Sequence, residues 1–154
     1  MERSISVKTR IAKLLVFFAM AFTTHASAED LAVVLVTGKD SPIESISSLD
    51  IRKVYFGISV TIGDNSVRAL RRRDDEQLNQ IFLQSVIAMS QRSYERRLLS
   101  LTLKFGTPRP VEVKDREELL TLLAENPSTI AYMWKSNAES DSRVKIIKAL
   151  WQES

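Results

Sequence analysis

The sequence predicts an α/β layered domain with a mixed sheet, and three observations carry that reading. Short apolar or alternating runs suited to strands recur at Leu31 to Val36, Ser66 to Arg71, Thr129 to Met133 and Arg143 to Leu150. Segments with helical spacing and helix-capping residues lie between them. No repeat, low-complexity tract or linker interrupts the series, and 44% hydrophobic with 27% charged residues is the composition of a globular domain.

The first element in order is a leader. Arg3, Lys8, Arg10 and Lys13 precede an apolar run from Leu14 to Phe22, and Ala26-Ser27-Ala28 follows a small, polar stretch. A basic start, a short apolar centre and an A-x-A site describe a secretory signal peptide, residues 1–28, cleaved before Glu29. The apolar run is too short to span a bilayer, which needs ~20 residues, so no membrane insertion is expected after cleavage. Lipidation at the leader is excluded because the chain has no cysteine. Residues 29–154 then form one domain with a periplasmic destination.

Cleavage changes the charge. The leader takes four of the 22 basic and one of the 19 acidic residues, leaving 18 of each and a net charge of zero. Nucleic-acid binding, which needs an excess of Lys and Arg against phosphate, loses its support. The single histidine, His25, leaves with the leader. Without His or Cys the mature chain has no Ser-His-Asp or Cys-His catalysis and no ordinary zinc, copper or haem site. No acidic calcium loop and no glycine-rich phosphate loop is present. No enzyme, metal or cofactor is expected.

Leu31 to Val36 reads as a fully buried strand ending at Thr37-Gly38. Lys39 to Ser48 is a polar loop with Pro42, from which Ile43 and Ile46 pack inward. Ser47 or Ser48 caps a short helix that carries Leu49, Val54, Tyr55 and Phe56 and stops at Gly57. Ile58 to Asn65 is a loop or a hairpin around Gly63-Asp64-Asn65, before the Ser66 to Arg71 strand. Asp74 is expected as the next N-cap, with Gln77 as its capping-box partner and Leu78, Ile81, Phe82, Ser85 and Met89 on one face. A further helix starts at Gln91 or Ser93, holds Tyr94, Leu98, Leu101 and Phe105, and stops at Gly106. Pro108 and Pro110 enforce an extended connection. Asp115 opens a helix with acids in its first turn, ended by Asn126-Pro127. Thr129 to Met133 is a strand, Ser136 to Ser142 a polar turn, and Arg143 to Leu150 the last strand.

Two clusters offer binding chemistry. Thr37, Gly38, Lys39 and Ser41 follow the first strand, and ligands of open α/β sheets bind beyond strand carboxyl ends. Arg71, Arg72 and Arg73 end another strand; they suit an anion, or a solvated loop neutralised by Asp74, Asp75 and Glu76. Arg92, Arg96 and Arg97 around Glu95 read as a solvated helix face, as do Glu117, Glu118 and Glu125. Trp134 and Trp151 suit an exposed binding aromatic or, the commoner role, core or edge packing.

In order and spacing these segments resemble the phosphate-binding proteins of ABC transporters, within the periplasmic binding protein superfamily. Leu49 to Gly57 is similar to the family's short helix ending in I-F-x-G, and Arg72, Asp74 and Phe82 fit its R-x-D-x-S-G-T-x-x-x-F. Ser93 to Gly106 resembles a helix ending in an aromatic-Gly pair, and Asn126 to Met133 a P-G-A-I-G-Y strand entry. The resemblance implies a single-lobe, periplasmic binding protein-like three-layer domain with a mixed sheet. Thr37, Lys39, Ser41, Arg72 and Arg73 are the candidate contacts for a small anion. A membrane transporter or sensor is the candidate protein partner, with or without a small-molecule ligand. The chain departs from the family at the anion site: S-G-T falls on Glu76, Gln77 and Leu78. An acid at a helix N-terminus takes the electrostatic place of an anion, so phosphate binding is expected to be weak or absent.

Overall fold

The computed structural model describes residues 31–154; the leader lies outside the described residues. Five strands form one mixed sheet in the order β5-β4-β6-β1-β7. They are β1 (Ala32–Gly38), β4 (Arg68–Arg72), β5 (Val111–Val113), β6 (Thr129–Trp134) and β7 (Val144–Gln152). β4 runs parallel to both β5 and β6, whereas β1 runs antiparallel to β6 and β7. A small hairpin of β2 (Thr61–Ile62) and β3 (Asn65–Ser66) precedes β4.

The continuous apolar run of β1 is buried on both sides, as strands covered on both faces require. Val33 and Leu35 face one core with Tyr55, Leu78, Phe82, Tyr94 and Leu98. Val34 and Val36 face the other with Leu119, Leu120 and Leu123. The first core lies under α1 (Ser48–Tyr55), α2 (Glu76–Phe82) and α3 (Gln91–Phe105), the second under α4 (Arg116–Glu125) and α5 (Lys135–Glu139). The result is the expected three-layer α/β architecture, with Ile43 and Ile46 buried as expected. No helix among the described residues is long and apolar enough to cross a membrane.

Four local readings are corrected. The cap of α2 is Asp75, not Asp74: its Oδ1 accepts the Leu78 amide at 2.9 Å. Asp74 is drawn instead to Arg72, where two charge-assisted bonds outweigh one cap bond. Beyond Phe82 the chain widens into a π-helical turn, Leu83–Ile87, closed by Ala88 at φ 60. That extra residue rotates the buried face onto Leu83 and Ile87, leaving Ser85 exposed and Met89 half-buried. The proline-spaced connection ends in the edge strand β5, pairing Leu70 with Val111 and Arg72 with Val113. The polar segment after β6 contains α5, seated by its buried Ala138.

Gly57, at φ 75, ends the first helix beneath the second connection, and a Cβ there would strike the Pro108 carbonyl. Gly38 lies so close to the Leu123 backbone that any side chain would clash.

Candidate functional site

The five candidate residues fall at two ends of the sheet. Thr37 pairs with Ile130 on β6, and Ile130 pairs with Ala69 at the start of β4. Arg72 lies three residues further along β4, ~10 Å away at strand rise. Because β1 and β4 run in opposite directions, their carboxyl ends point apart. Thr37, Lys39 and Ser41 therefore do not join Arg72 and Arg73.

The β1 end is largely committed to structure. The buried Thr37 hydroxyl donates to the Thr129 carbonyl at 2.8 Å. Ser41 Oγ accepts the Ile43 amide at 3.1 Å, and its carbonyl accepts Lys145 Nζ at 2.7 Å. Lys39 is exposed beside a small cavity of about 230 Å³, also lined by Leu123, Pro127, Ser142 and Arg143.

The β4 end holds a larger cavity of about 430 Å³. Arg71, Arg72 and Arg73 reach it from the strand, Glu76 and Asn79 from α2, and Glu112 from β5. Arg71 and Arg72 are not part of a solvated loop: they lie in β4 and are 5% and 7% exposed, covered in part by the edge strand β5. The Arg71 guanidinium lies 4.6 Å from the Tyr94 ring centroid and donates to Glu95 at 3.0 Å and Glu112 at 3.4 Å. Arg73 is exposed and reaches Glu112 at 3.1 Å.

Arg72 and Asp74 form a two-bond clamp, Nε to Oδ1 at 2.9 Å and Nη2 to Oδ2 at 2.6 Å. The same bonds hold the Asp74 carboxyl below its ordinary range. Arg72 Nη1 is buried and has no hydrogen-bond partner among the described residues. Asp75 caps α2 with one oxygen and accepts Trp134 Nε1 with the other at 2.8 Å. Asn79 donates to the Arg72 carbonyl at 2.6 Å and accepts the Tyr132 hydroxyl. Burial pushes that Tyr132 hydroxyl up to about 12.

Sequence reasoning missed Asn79 and Glu112, took Asp75 only as a neutralising charge, and left Trp134 between binding and packing. Asp75 was legible, being three residues before the amide it caps. Trp134 and Glu112 are brought in by strand order, for which the sequence carries no local signal. Among the described residues, no group of three or more acidic side chains is placed to hold a metal ion.

The arrangement combines cations with their own anions. A ligand here would meet the exposed Arg73, with the carboxylates of Glu76 and Glu112 also on the cavity wall. The sequence matches no protein-family model and no curated protein. Solved structures are similar in fold. An ABC-type phosphate transport receptor from Vibrio cholerae matches at TM-score 0.56 and 14% identity, over 77% of this chain and 46% of that one. A phosphate ABC transporter substrate-binding protein with bound phosphate, from Clostridium perfringens, matches at 0.58 and 18%, over 77% and 45%. PstS from Borrelia burgdorferi matches at 0.55 and 15%, over 77% and 47%. The chain thus spans about half the length of these structures, and over that span it has the fold of the phosphate-transporter substrate-binding proteins.

Proposed function

We propose that the chain is an exported, non-enzymatic binding-protein-like domain that acts at the outer face of the cytoplasmic membrane, on a transporter or sensor. In this reading it holds free phosphate weakly or not at all. One observation carries it: the two positive features that would take an anion are filled by the chain's own carboxylates. Asp74 occupies two N–H groups of Arg72, and Asp75 occupies the first-turn amide of α2. An incoming phosphate must displace them and also meet Glu76 on the cavity wall. The fold likeness to phosphate-transporter substrate-binding proteins supports the class and the compartment, and the leader's n-region, apolar run and Ala-Ser-Ala support export.

Titration calorimetry of the 29–154 protein with phosphate at physiological salt tests the reading. Millimolar or weaker affinity is expected. Micromolar affinity that falls on Arg73→Ala would overturn it. A second reading, an anion other than phosphate, is favoured by Arg72 Nη1, a buried N–H with no acceptor among the described residues, on a residue that lines the cavity. Titration with sulfate, molybdate and acetate separates the two.

A further inference from the structure

We infer that the carboxyl-terminal end of α3 is a membrane-contact tip for an anionic bilayer surface. The helix runs fifteen residues, ~22 Å at helical rise, yet Tyr94 and Leu98 are its fully buried side chains. Its last two turns leave three apolar side chains uncovered. Leu103 is 76% and Phe105 75% exposed, with Leu99 exposed on the same face as Leu103. The chain then turns at Gly106 into the Pro108 connection, where exposed Ile58 and Val111 border an apolar cavity.

Charge selects the partner. Arg92, Arg96, Arg97 and Lys104 are exposed on α3 and form no ion pair with any described residue. Arg92 and Arg96 align with Leu99 and Leu103, and Arg97 and Lys104 lie together about a third of a turn round the helix from them. The helix has one acid, Glu95, and it is turned away toward Arg71 and Arg109. The outcome is an uncompensated basic patch on a mature chain of zero net charge, with apolar side chains projecting from it.

Shape distinguishes a bilayer from an acidic protein. Leu103 and Phe105, two residues apart, point to opposite sides of the helix end, so they stand as separate projecting side chains and not as one flat face. A protein partner must supply a matching recess, whereas a lipid interface deforms around a projecting tip, with cations among the headgroups. Anionic headgroups add attraction for each Lys or Arg near the surface. This inference deepens the proposed action at a membrane by naming lipid as the surface met, and it is independent of the Arg72 cavity.

Vesicle flotation of the 29–154 protein tests it, with phosphatidylcholine vesicles lacking or containing phosphatidylglycerol. Binding is expected with phosphatidylglycerol only, falling as salt rises. Each of Arg96→Gln and Arg97→Gln is expected to weaken it about five-fold. The pair Leu103→Ser and Phe105→Ser should abolish flotation with an unchanged melting temperature, since both side chains are exposed. Absence of flotation, equal flotation with both vesicles, or flotation unaffected by the Leu103 and Phe105 pair would overturn the inference. So would association with protein-containing membranes but not with phosphatidylglycerol vesicles. The phosphate titration is untouched by any of these outcomes, so the two readings fail separately.

Discussion

Asp74 and Asp75 divide the positive features at the end of β4 between them. Asp74 neutralises a buried guanidinium, and Asp75 satisfies a helix amide and the Trp134 indole. The two substitutions should therefore differ in cost. Asp75→Ala is expected to lose about 1 kcal/mol, a helix cap. Asp74→Ala is expected to lose about 2 kcal/mol, because it strips charged hydrogen bonds from a buried arginine. Urea unfolding of both variants checks the order, and equal costs would contradict it.

The same scale carries a pH prediction. Asp141 is 8% exposed and accepts from Arg143 Nε at 3.0 Å and Nη2 at 2.8 Å, with Arg116 at 3.5 Å. Its carboxyl is held well below the ordinary range, chiefly by the Arg143 side-chain bonds. A carboxyl depressed by folding stabilises above its unfolded value, near 3.9, and the contribution is lost as pH falls through the folded value. Asp141→Asn should be less stable than wild type at neutral pH, and the gap should close under strongly acidic conditions. Melting temperatures of both proteins across acid to neutral pH measure this; a gap that widens with acid would contradict it.

At the scale of elements, caps and apolar periods made much of the fold legible. Asp115 caps α4 through the Glu118 amide, and Asn126 follows its end. Gly106, at φ 65, ends α3. The apolar run of β1 named a buried interior strand, although β6 and not β1 lies at the centre of the sheet. What was not legible arose from tertiary override. A helical period continued through Ser85 and Met89, yet the π turn shifted the face because Leu83 and Ile87 are the better fillers of the core. β5 is invisible to alternation, being a three-residue strand defined by its pairing with β4. Ala88 is the local mark of the π turn, an exposed alanine in left-handed conformation. Ala88→Gly should raise stability by about 0.5–1 kcal/mol, relief of backbone strain less the unfolded-chain entropy. Denaturant midpoints test this, and a loss of stability would show that the turn does not persist in solution.

On the scale of the whole molecule, strand direction decides which residues meet. The sequence placed hydroxyls and arginines at strand carboxyl ends, but not the reversal of β1 against β4 that sends them to opposite ends. Local patterns do not encode pairing direction, so the five-residue site was legible as residue types and not as a place. β1 lies inside the sheet, between β6 and β7. Val34, 2% exposed, packs in the core under α4, so Val34→Asp puts an unpaired charge where several kcal/mol are lost, much of a small domain's stability. Loss of soluble, cooperatively melting protein is expected, and an unchanged melting temperature would refute the buried placement of β1.

The central claim is that the chain's own carboxylates hold the anion position, and the Leu78 backbone amide reports on it directly. That N–H is held by Asp75 at 2.9 Å, at the helix turn where a bound anion would sit. Amide chemical shifts of the labelled 29–154 protein, followed during a phosphate titration at neutral pH and physiological salt, give the test. The amides of residues 76–79 are expected to stay in place up to millimolar phosphate. A saturable, micromolar displacement of the Leu78 amide would contradict it, because it would mean that phosphate displaces Asp75 and the site is open.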